Sequence, residues 1–127
     1  MDTADIRRII VGRIPPGQIT LYRALYFADQ PLTINSVAHM IREGDVESTW
    51  GVIRALSTRI GDATSKSPKY EAFFEVETKD GTRYFRMRPE VREAIESIPE
   101  LLDVMKWPVR KIFARYDHGE DHWLVVE

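Results

Sequence analysis

A chain of 127 residues, 43% hydrophobic and 30% charged, has the size and balance of one globular domain, since single domains run to roughly 100–200 residues. Its longest apolar runs, Ile9-Ile10-Val11 and Leu124-Val125-Val126, fall far short of the ~20 residues of a membrane-spanning helix, and the acidic start at Asp2 does not read as a secretion signal, so a cytoplasmic location with no membrane partner is the expectation. With no cysteine there is no disulfide framework, thiolate zinc site or cysteine nucleophile, and with a net charge of −2 from 18 basic and 20 acidic side chains any hold on a polyanion requires uneven local charge.

Ile6, Ile9, Ile10 and Ile14 follow helical spacing behind a cap at Thr3 or Asp5, predicting a first helix over 3–14 that Pro15-Pro16-Gly17 must end. A second helix over about 18–28 carries Ile19, Tyr22, Leu25 and Tyr26 on one stripe and stops at Asp29-Gln30-Pro31. Tyr22, Tyr26 and Phe27 read as core, yet together they cover two faces, more than one buried stripe needs, which points to a partner surface nearby. A third helix over about 34–42, capped by Thr33 or Asn35, buries Val37, Ala38 and Ile41 and closes at Gly44. The fourth, capped by Asp45 or Ser48, runs to about Ile60 with Val46, Thr49, Trp50, Ile53, Leu56 and Ile60 on one face, and Gly61 ends it. That company makes Trp50 a core residue rather than a base-stacking platform.

At Tyr70 the period changes to two, with Tyr70, Ala72, Phe74 and Val76 on one side, which predicts a strand. Asp80-Gly81 supplies the positive φ angles of a type I′ hairpin turn. Setting Lys79 opposite Thr82 pairs Val76 with Phe85 and Phe74 with Met87 on the buried face. Outside, Glu75 meets and engages Arg86, and Glu77 meets Tyr84. Pro89 then opens a helix over 90–98 with Val91, Ala94, Ile95 and Ile98 inward, and a short helix follows around 100–105. Pro108 opens another, with Val109, Ile112, Phe113 and Tyr116 as its stripe and Gly119 as its stop; residues 122–126 read as a short strand.

Charge is unevenly spread along these elements. Arg54, Arg59, Lys66 and Lys69 face only Asp62 within their stretch, and Lys106, Arg110, Lys111 and Arg115 have no acid between them. Acids gather at Glu43, Asp45 and Glu47, and at Asp117, Glu120, Asp121 and Glu127. His118 and His122, with Asp117 beside them, are the residue types of a metal or acid–base site. Gly119, however, interrupts the helix that would put both rings on one face, and the composition is that of a surface turn. His39 reads as a surface or capping residue. No Ser-His-Asp set, glycine-rich phosphate loop or isolated carboxylate pair is recognisable, so the expectation is a non-enzyme without metal or cofactor.

Helix, Pro31-Leu32-Thr33, helix, tight turn at Glu43-Gly44-Asp45, helix, then hairpin: over about 18–88 this order resembles the winged helix-turn-helix superfamily of DNA-binding domains. The resemblance rests on Leu21 to Thr33, on Val37 to Ile41, on Ser48 to Leu56, and on a wing from Tyr70 to Arg88. It implies an α+β fold, a three-helix core plus β-hairpin wing, within a single domain 1–127. Extra elements flank that core: the helix at 3–14, a C-terminal helical extension over about 90–117, and the strand 122–126.

By that resemblance the helix 45–60 is the recognition helix, with Glu47, Ser48, Gly51, Val52, Arg54, Ala55, Thr58 and Arg59 outward. Arg54 would fork onto the two acceptors of guanine, and Ser48 and Thr58 would reach base edges or phosphates. Arg59, Lys66, Lys69, Lys79 and Arg83 would bind the phosphate backbone, while Glu43, Asp45 and Glu47 oppose it unless Glu47 accepts from cytosine. The implied function is sequence-specific binding of double-stranded DNA, as a transcriptional regulator or the DNA-reading module of a restriction-type system. The other reading is a winged-helix protein-interaction module without nucleic-acid affinity. The stripe of Val109, Ile112, Phe113 and Tyr116 is too large to leave in water, and its expected use is a homodimer that places two recognition helices on a palindromic site.

Overall fold

Proline placement sets where several helices begin in the computed structural model, which describes all 127 residues. Pro16, Pro89 and Pro99 stand in the first turns of α2 (Pro16–Tyr26), α5 (Pro89–Glu96) and α6 (Pro99–Met105), and Pro108 immediately precedes α7 (Val109–Tyr116). There the missing N–H is no loss, because first-turn N–H groups have no partner within the helix.

Helix α1 (Thr3–Ile10) is opened by Asp2, not by Thr3 or Asp5. The Asp2 carboxylate accepts the Asp5 N–H at 2.9 Å, and that of Asp5 accepts the Asp2 N–H at 3.3 Å. The Asp5 N–H holds the Asp2 carboxyl below its ordinary range. The helix is also shorter than the predicted 3–14. Gly12, at φ +100°, begins β1 (Gly12–Ile14), which pairs antiparallel with β4 (Leu124–Val126), Gly12 opposite Val126 and Ile14 opposite Leu124. Ile14 is buried as expected, but from a strand; a single inward residue four positions after Ile10 fits either period.

Helix α2 lies at the centre, touched by α3, α4, α6 and α7, so it is buried on most sides rather than along one stripe. Its three aromatics separate. Tyr22 is fully buried, with a hydroxyl that meets no protein partner and a phenol that burial pushes up. The Tyr26 hydroxyl donates to Glu96 of α5 at 2.6 Å, while Phe27, 49% exposed, stands edge-on to Tyr26. Helix α3 (Ile34–Arg42) is capped by Thr33, whose Oγ1 accepts the Ser36 N–H at 3.2 Å. Glu43 and Gly44, both at positive φ, make the tight turn to Asp45. Asp45 caps α4 (Val46–Ile60), which stops at Gly61.

The hairpin of β2 (Phe74–Lys79) and β3 (Thr82–Met87) has the register read from the sequence, with Val76 opposite Phe85, Phe74 opposite Met87 and Lys79 opposite Thr82. It turns at Asp80 and Gly81, φ 51° and 79°. Leu32 exchanges two backbone hydrogen bonds with Phe85, at 2.9 and 2.7 Å, tying the hairpin to the α2–α3 connection. The strand expected from Tyr70 instead starts at Phe74, after a 3₁₀ turn at Lys69–Ala72. Ala72, Phe73 and Phe74 are all buried, and three consecutive inward side chains cannot alternate across a pleated strand.

A single continuous core of buried apolar residues runs from Ile6 to Val126, with α1 packed on α5, and α6 and α7 packed on α2. The flanking helices therefore belong to the same folding unit, and of the stripe read as a dimer interface Ile112 and Tyr116 are covered by their own chain while Val109 and Phe113 are only partly so. Ile112 and Tyr116 are buried, Tyr116 stacks on Trp107 at 6.0 Å, Val109 is half-buried, and the Phe113 ring lies 4.4 Å beneath the Arg42 guanidinium. Apolar spacing shows that a face is covered, and carries no mark of whether the cover is intra- or intermolecular. No helix is long and apolar enough to cross a membrane.

Candidate nucleic-acid interface

Helix α4 buries Thr49, Ile53, Leu56 and Ile60 and opens Glu47, Gly51, Arg54 and Thr58 along its far side, Gly51 half-exposed and the others exposed. On one flank of this open stripe Trp50, half-buried, packs against Tyr70 and Phe85, with ring centroids 6.2 and 6.1 Å away. The hairpin is thereby anchored beside α4. Two residues on, about 200° round the helix, Val52 meets the start of α2 so closely that a Cβ at Gly17 would lie 2.9 Å from Val52 Cγ2. Val52, read as solvent-facing, is thus half-buried against α2. A groove of about 360 Å³ follows this second flank, with Ser48, Gly51 and Ala55 on one wall and Arg42, Asp117 and Trp123 on the other. The open stripe is therefore bounded by the hairpin on one side and by the end of α7 and the C-terminal segment on the other.

Arg54 is exposed, has no carboxylate within 4.0 Å and lies back along the helix towards Gly51. Ser48 donates its hydroxyl to Asp45 at 2.6 Å and its N–H to the same carboxylate at 3.1 Å, so what it offers a ligand is a lone pair. The Ser48 hydroxyl, and then its N–H, hold the Asp45 carboxyl below its ordinary range, and that acid's charge is directed to the helix start. Thr58 donates its hydroxyl back to the Arg54 carbonyl at 3.2 Å. Lys66 is exposed beyond α4, and Lys69 pairs with exposed Asp62 at 3.5 Å. Lys79 and Arg83 are exposed around the hairpin turn without ion-pair partners. Arg86 is free as well: it stands opposite Glu75 in the ladder, but the two do not come within 4.0 Å, contrary to the expected pairing.

Arg59, expected on the phosphate backbone, has its guanidinium engaged within the chain instead. Its Nε donates to the Ile9 carbonyl at 2.7 Å, its Nη1 to Arg13 at 2.6 Å, and its Nη2 to Ile10 and Val11 at 2.9 and 2.8 Å. The last carbonyls of α1 have no partner within their helix, and Arg59 supplies the donors. Expecting Arg59 to face solvent overlooked the α1–β1 corner that covers this side of α4.

At the other end of the chain the His118 and His122 rings do meet, edge to face at 5.9 Å, with His118 Nε2 2.7 Å from the Ala114 carbonyl. No third His, Asp or Glu joins them in an arrangement that would hold a metal. His39 folds over Gly44, where a Cβ would lie 2.9 Å from its ring. The residue that sequence reasoning passed over is Arg42, whose guanidinium covers Phe113 while its Nε is buried without an acceptor. Its position at the last turn of a helix, before an acidic turn, was the available signal. No protein-family model, curated protein or solved structure matches the chain.

Proposed function

We propose that the chain is a winged helix-turn-helix domain that binds double-stranded DNA in a sequence-dependent way, with α4 in the major groove and the β2–β3 hairpin as the wing on the flanking backbone. The observation that carries this reading is the set of cations left free there. Arg54 on α4, Lys66 on the loop after it, and Lys79, Arg83 and Arg86 on the hairpin are all exposed, and none has a carboxylate within 4.0 Å. Arg54 is the base reader, its fork matching guanine O6 and N7. Ser48 and Thr58 accept from base amino groups with the lone pairs their own donors leave free. Lys66, Lys79 and Arg83 neutralise phosphates, and Lys69 joins them by exchanging exposed Asp62 for a phosphate. The biological setting this suits is a transcriptional regulator or the DNA-reading part of a restriction-type system, acting without catalysis or a cofactor.

The test is titration of duplex DNA, preferred sites first being selected from a random pool, over a salt series. Affinity falls with salt by a log–log slope of about 0.9 per phosphate contact. Arg54→Ala costs about 1–3 kcal/mol on the preferred site and relaxes preference at one base pair, whereas Lys79→Ala and Arg83→Ala weaken all duplexes alike and make the slope shallower. Absence of binding to any duplex at low salt overturns the proposal. It would favour a winged-helix protein-interaction module, the reading supported by exposed Glu43 and Glu47 at the head of α4.

A further inference from the structure

We infer that the outer face of α7 is a second surface for the DNA backbone, on the side of α4 away from the wing; the inference rests on the DNA-binding reading above. Lys106, Arg110, Lys111 and Arg115 are all exposed, and no acid occurs from Val104 to Tyr116. None of the four comes within 4.0 Å of a carboxylate. Aromatic faces hold three cations of this region instead. Lys111 Nζ lies 4.4 Å from the Trp107 ring centre, the Arg115 guanidinium 4.9 Å from that of Tyr116, and the Arg42 guanidinium 4.4 Å from that of Phe113. A ring face steadies a cation without neutralising it, so exposed Lys111 and Arg115 keep both their charge and their N–H donors for a ligand.

The position of the helix selects the ligand. Phe113 of α7 touches Arg42, three residues before the Asp45 cap of α4. Arg110, three residues before Phe113 and about 60° round the helix from it, is exposed on that same flank. Asp117, just past the helix end, faces the groove shared with Ser48 and bounds the basic surface. A duplex lying along the open stripe of α4 has the wing on the flank of Trp50 and, across the groove that Asp117 and Trp123 share with Ser48, the end of α7 beyond the other flank. Arg110 and Arg115 are separated by a rise of about 7.5 Å and by about 140° round the helix, so together with Lys111 they spread positive charge across the outer side of α7. Positive charge uninterrupted by acids, lying beside the stripe on which a duplex is already seated, matches that duplex's own flanking phosphates, so phosphate backbone is the occupant.

The test compares the full-length wild type with R110Q/K111Q/R115Q on duplexes of ~12 and ~25 base pairs, since a flanking contact needs DNA beyond the core site. All three side chains are exposed, and thermal melting confirms that the variant is folded. The expected result is a loss of about tenfold or more on the long duplex and a salt slope shallower by roughly two to three. The advantage of long over short DNA disappears while base preference is unchanged. Arg110→Gln alone, which removes no ring contact, lowers the slope by about one. A triple variant that binds both duplexes like the wild type, while Lys79→Ala still binds weakly, overturns the α7 surface and leaves the wing reading standing. A wild type that binds neither duplex overturns the DNA reading itself, and this surface with it.

Discussion

Arg54 and Arg59 stand five residues apart on the same helix, and the groups already in contact with each guanidinium give them different work. Arg54 has no carboxylate partner, so replacing it removes little from the folded state. Arg59 donates to the carbonyls of Ile9, Ile10, Val11 and Arg13 and closes the α1–β1 corner. Hydrogen bonds from a charged donor contribute more than neutral ones, and partly buried carbonyls stripped of a donor carry a desolvation cost. Arg59→Ala should therefore destabilise by about 3 kcal/mol in denaturant unfolding, against less than ~0.5 kcal/mol for Arg54→Ala. Arg59→Lys should recover little, because one ammonium cannot serve four acceptors in the fork geometry that arginine supplies. If instead Arg59→Ala melts like the wild type and loses DNA affinity, the guanidinium belongs to the interface after all. Sequence could not separate the two arginines: what distinguishes them is β1, and Ile10 and Ile14 fit a helix as well as a strand.

Among whole elements, the hairpin was the most legible. Asp80-Gly81 fixed the turn, and the alternating sides then left one register, which the ladder has from Phe74–Met87 to Lys79–Thr82. The 3₁₀ turn before it was not legible, because burial of Phe73 comes from the tertiary surroundings and not from a local period. The crossing of α2 and α4 was hidden for a similar reason. Gly17 reads as part of a turn in the sequence, yet it lies in the first turn of α2 where Val52 presses against its bare Cα. Adding a methyl there drives it to 2.9 Å from a β-branched side chain with no long arm to swing away. Gly17→Ala should cost about 1–3 kcal/mol by overpacking, despite alanine's better helix propensity. In the double variant Gly17→Ala with Val52→Ala most of that loss should return, since removing the valine methyls makes room. Additive destabilisation in the double-mutant cycle would show that the two helices do not meet at this point.

Across the whole molecule, α1, α5, α6 and α7 share one core with the helix-and-hairpin part, so no piece can be removed as an appendage. The exposed cations Arg54, Lys66, Lys79 and Arg83 were legible as site candidates because their positions lie off every apolar stripe. The partner of the α7 stripe was not legible, since a covered face has the same spacing whichever chain covers it. Phe113 decides the matter. Its ring lies between the core and the Arg42 guanidinium, half-buried, so a charged replacement loses apolar burial whatever the protein concentration. Phe113→Glu should lower stability by about 1–3 kcal/mol, softened because the new carboxylate lies near Arg42. Phe113→Lys should cost more, because it sets a second cation against that guanidinium. Both losses should be equal at ~1 and ~100 micromolar, and the wild type should sediment as a monomer across that range, which brackets a modest interface. Two-state dimer unfolding makes the melting temperature rise with concentration. Such a rise in the wild type, abolished by Phe113→Glu in a chain that stays folded, would return the α7 stripe to a second subunit.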